Sequence, residues 1–247
     1  MAIMLVTGAA RGIGAAIAIE AARKGFDVAI HFGHSRERAE LVAETVRAAG
    51  KKAITVKADL GDPASVSALF QEVDARLGKL DVLVNNAATD HLGEFSQIAL
   101  PDINRVLTVN LVSLMRCCQE AILRLAPKHG GKGGAIINIS SISPRTGGIP
   151  GDVVYTATKG AVDALTLSLS NEIACEGIRV CAVRPGLTQT EMLEAAIGAD
   201  GLREKARQAV PMGRPARPEE IAKLVVWLAT DDASYVTGHA LDVAGGR

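Results

Sequence analysis

The run IMLV at residues 3–6 passes directly into TGAARGIG at residues 7–14, and this junction constrains the chain more than any other stretch. Four apolar residues bounded by a turn read as a buried strand. Gly8, Gly12 and Gly14 permit a tight turn and let backbone amides approach an anion closely. A helix starting near Ile13 would aim the positive end of its dipole at the same point. Strand, glycine turn and helix in this order suggest a phosphate cradle. The spacing is G-x-x-x-G-x-G, not G-x-G-x-x-G, so a turn that merely needs unusual backbone angles is the competing reading.

Strand and helix alternate along the rest of the chain. Apolar runs predict strands at 3–6, 28–32, 53–57, 80–84, 135–139, 178–183 and 239–243. Helical patterns fall at 13–24, 35–49, 103–125 and 218–229, with another ending before Gly177. Ser35 and Asp62 read as caps, the latter opening a helix that runs toward Leu77. Several strands are continuously apolar, which indicates a parallel sheet covered by helices on both faces. No linker divides residues 1–247. Residues 185–217 are rich in Pro, Gly and charge, and they read either as a substrate cover, centred on 187–210, or as a rigid surface loop.

Charge then limits the partners. Lys plus Arg and Asp plus Glu number 27 each, so no basic surface points to nucleic acid or to an anionic membrane. The opening residues lack a charged leader, and no unbroken apolar run reaches about 18 residues. A cytoplasmic location is the expectation. The cysteines at 117, 118, 175 and 181 form no C-x-x-C pair, and the five histidines lack metal-ligand spacing, so no metal is expected. Hydrophobic residues make up 48% of the chain, a weak hint of an oligomer.

Two features suggest redox chemistry. Tyr155 and Lys159 are four residues apart, hence on one helical face, where an ammonium favours the phenolate over the phenol. The second strand ends in HFGHSRE, with no acidic residue until Glu37. An acidic strand tip would hold the ribose hydroxyls of NAD; His34, Ser35 and Arg36, with Arg11 from the glycine turn, instead suit a 2′-phosphate. NADP(H) is the expected cofactor, with NAD(H) as the alternative. Taken alone, Arg36 also reads as a solvated residue pairing with Glu40.

The chain resembles the short-chain dehydrogenase/reductases, notably bacterial members without an assigned substrate. The resemblance rests on TGAARGIG (7–14), NNAA (85–88), Asn110, NISS (138–141), YTATK (155–159) and RPG (184–186), and extends to the final VAGG. It implies a single Rossmann-like, doubly wound α/β domain with a seven-stranded parallel sheet and helices on both faces. By position, Tyr155 matches the catalytic acid–base and Lys159 the residue that binds the nicotinamide ribose and lowers the tyrosine pKa. Ser141 matches the residue that orients the substrate oxygen, and Asn110 the one that supports a water in a proton relay. Gly8, Gly12, Gly14 and Ile13 match the pyrophosphate loop. Asp59, with Leu60 beside it, matches the adenine contact, and Asn86, Ala87 and Ala88 the adenosine side. Pro185, Gly186, Thr188 and Thr190 lie where the nicotinamide end is gripped.

Three departures stand out. Ala88 replaces a frequent glycine, and Ala244 a frequent acidic residue. Ser141 and Tyr155 are 14 apart, one more than in many relatives, an excess to be absorbed in the turn at 147–151. The resemblance implies hydride transfer between NADP(H) and a small or medium organic substrate: a 3-oxoacyl thioester, a sugar or polyol, or a ketone. An NAD-dependent polyol or sugar dehydrogenase and a non-catalytic cofactor sensor or scaffold are the competing readings. It also implies a homotetramer built through the long helices and the C-terminal strand.

Overall fold

A computed structural model describes residues 2–247. Seven strands form one parallel sheet: β1 (Ile3–Val6), β2 (Asp27–Phe32), β3 (Ala53–Lys57), β4 (Val82–Asn85), β5 (Gly134–Ile139), β6 (Ile178–Pro185) and β7 (Ala240–Val243). Their order is β3-β2-β1-β4-β5-β6-β7, and each neighbouring pair is parallel. This is a Rossmann-like architecture. β1, β2 and β4 are buried along their whole lengths, which explains why they read as continuous apolar runs.

Helices cover both faces. α1 (Gly12–Arg23), α2 (Arg36–Ala48) and α10 (Pro218–Ala229) enclose one core, containing Ile17, Val46 and Val225. α3 (Ser65–Arg76), α5 (Ser113–Leu125) and α7 (Val153–Ile173) enclose the other, around Phe70, Cys117 and Val162. Strand order reverses between β1 and β4, so the loops leaving those strands diverge and open a crevice at their carboxyl ends.

Several boundaries differ from the sequence pattern. The predicted helix at 103–125 is two helices, α4 (Leu100–Leu107) and α5, joined through a π-turn at Thr108–Val112. α3 begins at Ser65; Asp62 Oδ1 instead accepts from the Ala64 amide at 3.0 Å and forms a turn ahead of the helix. The Ser35 side chain makes no capping bond. Residues 187–210 are largely helical, with α8 (Glu191–Ile197) and α9 (Ala199–Ala209) pinned by a small cluster of Leu187, Leu202, Ala206 and Val210. The helical stretch Leu100–Leu125 is long and apolar enough to cross a membrane by composition. It is interrupted by Arg105, Arg116, Glu120 and Arg124 and packs on the sheet through Leu114, Cys118 and Ala121.

Candidate active site

A cleft of about 620 Å³ runs along the carboxyl ends of the strands. At its centre Gly8 and Gly12 adopt positive φ, +64° and +56°. Gly14 is excluded from carrying a side chain for another reason. A Cβ there would lie 2.4 Å from the Gly8 carbonyl oxygen and 2.5 Å from Asn86 Nδ2. Asn86 welds the β4 loop to this turn: Nδ2 donates to the carbonyls of Thr7 at 2.9 Å and Gly8 at 3.0 Å. Thr7 Oγ1 accepts from the Asn86 and Ala87 amides at 2.9 and 3.0 Å. His31 supports the turn from beneath. Its Nδ1 accepts from the Gly8 amide at 3.0 Å, and burial pushes its pKa down to about 4, so the ring is neutral.

Toward the β2 tip the structure brings several of the sequence-predicted residues to one end of the cleft. His34, Ser35, Asp59 and Leu60 line the cleft with Arg11 and Ile13. Asp59 Oδ1 accepts from the Gly61 amide at 2.8 Å, and the Leu60 carbonyl accepts from Ser113 Oγ at 2.7 Å. Arg36 departs from expectation: it is exposed at the start of α2 and is not part of the cleft lining. Glu40, its expected partner, instead accepts from Thr55 Oγ1 at 2.5 Å and from Arg47 Nη2 at 3.2 Å. Arg38 reaches toward the cleft, pairing with Glu191, which also pairs with Arg11.

At the other end, Pro185, Gly186, Thr188 and Thr190 line the cleft with Ala87 and Ala88. Thr188 Oγ1 donates to the Gly186 carbonyl at 3.0 Å, while Thr190 Oγ1 accepts from the Leu193 amide at 3.4 Å and caps α8. Gly186 permits a close approach, since a Cβ would stand 2.7 Å from Ala244 Cα. The methyl of Ala244 is thus packed where a larger acidic side chain would have to turn outward.

Ser141, Tyr155 and Lys159 meet in this half of the cleft. Ser141 Oγ donates to Ser143 Oγ at 2.9 Å and accepts from the Ser143 amide at 3.1 Å. In the turn between Ser141 and Tyr155, glycines 147, 148 and 151 all adopt positive φ. Lys159 Nζ is buried, donates to the Ile139 carbonyl at 2.7 Å and lies 5.4 Å from the centroid of the Tyr155 ring. Burial lowers its pKa to about 8, against a smaller opposing pull from Asp163.

The phenol does not behave as the Tyr–Lys spacing suggests. Burial raises the Tyr155 pKa well above its ordinary value, the charges of Asp152 and Asp90 push it further up, and the Ser141 hydrogen bond only partly opposes them. Lys159, desolvated and committed to the Ile139 carbonyl, is not among the groups that set this shift. Tyr155 therefore holds its proton at neutral pH.

Asp90 and Asp152, which the motifs did not single out, both line the cleft. Asp152 precedes α7 by one residue and is 6% exposed, and its Oδ1 has no hydrogen-bond partner. Burial first, and then the facing Asp90 carboxylate, raise its pKa to about 7. Burial also raises that of Asp90. Asn110 sits apart from the lining. It is fully buried in the π-turn, accepting from the Thr89 amide at 2.8 Å and donating to the Thr89 carbonyl at 2.9 Å and to Thr158 Oγ1 at 3.2 Å.

The sequence profile described as enoyl-(acyl carrier protein) reductase matches residues 8–247. The chain belongs to the short-chain dehydrogenase/reductases. Among the relatives of this family, the uncharacterized oxidoreductase YgfF of Escherichia coli (strain K12) is 44% identical over the whole of both chains. The 3-oxoacyl-[acyl-carrier-protein] reductase FabG of Staphylococcus aureus is 38% identical, over 98% of this chain and 96% of its own. A short-chain dehydrogenase/reductase from Serratia marcescens superposes with a TM-score of 0.92 at 36% identity, covering 99% of this chain and 97% of that one. The angucycline C-6 ketoreductase LanV, solved with bound NADP, superposes at 0.91 with 35% identity, over 99% and 95% of the two chains. This short-chain dehydrogenase/reductase is an oxidoreductase acting on small molecules.

Proposed function

We propose that the protein transfers a hydride between NADP(H) and the carbonyl or alcohol carbon of a small or medium organic substrate, with Tyr155 as general acid–base. The carrying observation is that Ser141, Tyr155 and Lys159 line the same cleft as the glycine turn. The residues fit a dinucleotide. Gly8 and Gly14 leave open a cradle in which a Cβ would strike backbone atoms, and the helix α1 begins there. The glycine turn with Ile13 would hold the pyrophosphate, Asp59 and Leu60 the adenine, and Lys159 the nicotinamide ribose. Ala87, Ala88, Pro185, Gly186, Thr188 and Thr190 would enclose the remainder.

Bound nicotinamide would supply the hydride chemistry. The chain's own work is on the carbonyl oxygen. Negative charge grows there as the carbon is reduced, and Tyr155 donates its proton while Ser141 donates a hydrogen bond to the same atom. Burial keeps the phenol protonated at neutral pH, as a proton donor to the carbonyl oxygen must be. Asn110 acts at one remove, holding the Thr89 backbone against α7. In our reading the 1–247 chain is one functional unit, with 187–210 as the substrate cover.

The substrate end carries Asp90, Arg105, Asp152 and Arg247, so polar carbonyl compounds suit it better than plain hydrocarbons. A homotetramer is the favoured assembly, supported by exposed Leu100 on α4, Val112 in the π-turn, Met115 and Leu123 on α5 and Leu167 on α7. NAD dependence is the second reading, because Arg36 lies outside the cleft and Glu191 engages Arg11 and Arg38. NADPH consumption across a panel of 3-oxoacyl thioesters, sugars and ketones tests the proposal. Turnover of at least one class with NADPH preferred over NADH is expected. No consumption with any substrate, with cofactor bound, contradicts it.

A further inference from the structure

Glu191 opens α8 and is remote in sequence from both of its partners. Its carboxylate accepts from Arg38 Nη1 through both oxygens, at 2.7 and 2.5 Å, and from Arg11 Nη1 at 3.2 Å. Arg11 stands at the tip of the glycine turn; Arg38 rises from the first turn of α2, just beyond the β2 tip. One carboxylate thus draws together two guanidiniums from the two loops that border the adenosine end of the cleft. Both Arg11 and Glu191 belong to the cleft lining beside His34 and Ser35.

A guanidinium fork recognises carboxylate and phosphate by the same paired geometry. A cofactor with a 2′-phosphate brings to this end the group that Arg11 and Arg38 would bind. A cofactor with a 2′-hydroxyl brings a group that does not compete for them. We propose that Glu191 is a specificity-determining residue, an internal carboxylate that holds Arg11 and Arg38 and must release them to a 2′-phosphate but not to a ribose hydroxyl. This rests on the NADP(H) reading above. Glu191 is a positioning residue: it sets the availability of two guanidiniums and does not touch the reacting atoms.

The competition has a structural consequence. Glu191 is the first residue of α8, so a 2′-phosphate that takes over the guanidiniums also frees the leading end of the cover helix. The contacts are exposed, which limits their strength and makes them exchangeable. Removing the Glu191 charge should therefore change NADP affinity by a modest factor, about fivefold.

Equilibrium titration of NADP⁺ and NAD⁺ by calorimetry, with wild type, Glu191→Gln and Arg38→Ala, reads this directly. Glu191→Gln is expected to tighten NADP⁺ about fivefold while NAD⁺ stays within about twofold. Arg38→Ala should weaken NADP⁺ and spare NAD⁺. The proposal is overturned if wild type prefers NADP⁺ but Glu191→Gln leaves the ratio of the two affinities unchanged. If wild type binds NAD⁺ at least as tightly and Arg38→Ala alters neither ligand, the cofactor reading itself fails, and this proposal with it.

Discussion

Asn110 Nδ2 donates to Thr158 Oγ1 at 3.2 Å, tying the π-turn between α4 and α5 to the residue that precedes Lys159 on α7. The same amide holds the Thr89 backbone through both its donor and its acceptor. One buried side chain thus links the β4 loop, the π-turn and the helix of Tyr155.

Replacing Asn110 with Ala would remove the partners of the half-buried Thr89 amide and carbonyl. Each orphaned group costs about 1–3 kcal/mol, so unfolding stability in urea should fall by an amount in that range or above. Turnover should fall with it, since the Thr89 loop borders the cleft. Unchanged stability would contradict the tether.

Glycines 12 and 14 should respond differently to a methyl group. Gly14→Ala forces a Cβ onto the Gly8 carbonyl oxygen and the Asn86 amide, so cofactor binding should be lost or the fold badly weakened. Gly12→Ala meets nothing closer than 3.6 Å, but its φ of +56° costs a non-glycine residue about 1–2 kcal/mol. Calorimetric titration of both variants should rank Gly14→Ala as the more damaging; equal effects would count against the observed turn.

Asp152 makes stability depend on pH. Its carboxyl titrates at about 7 in the folded protein and near 3.8 as a free side chain, so the folded state binds the proton more tightly. Stability from that proton is complete below the lower value and is lost as pH rises through the upper one. The groups facing it are Asp90 and Tyr155, with the charge of Lys205 also felt. Between about pH 4 and about pH 7 the wild-type Tm should decline relative to that of Asp152→Asn, which has no carboxyl to titrate. Parallel profiles for the two proteins would remove Asp152 as the cause.

The fold was legible because the central strands of a parallel sheet are buried along their length: β1 matches its apolar run residue for residue, as does the partly buried edge strand β3, and Pro218 marks the start of α10. The π-turn was not legible. Residues 103–125 carry an uninterrupted helical pattern, and the break depends on Asn110 reaching Thr89, a contact across 21 residues. The sequence singled out Arg36 and not Arg38, because which side chain reaches Glu191 depends on how α2 docks on the sheet. No motif in the sequence singles out Asp152. Its side chain makes no capping bond, and its perturbed proton comes from burial first and from the approach of Asp90 second, neither of which a local pattern shows. The glycine turn, Ser141, Tyr155 and Lys159 were readable because each must be one residue type at one place in the strand order.

The account depends most on the Tyr155 hydroxyl, and Tyr155→Phe removes that group alone. Calorimetric NADP⁺ affinity should stay close to wild type while turnover of the best carbonyl substrate drops by at least about 100-fold. A Tyr155→Phe enzyme that binds cofactor and turns over at the wild-type rate would contradict the central claim.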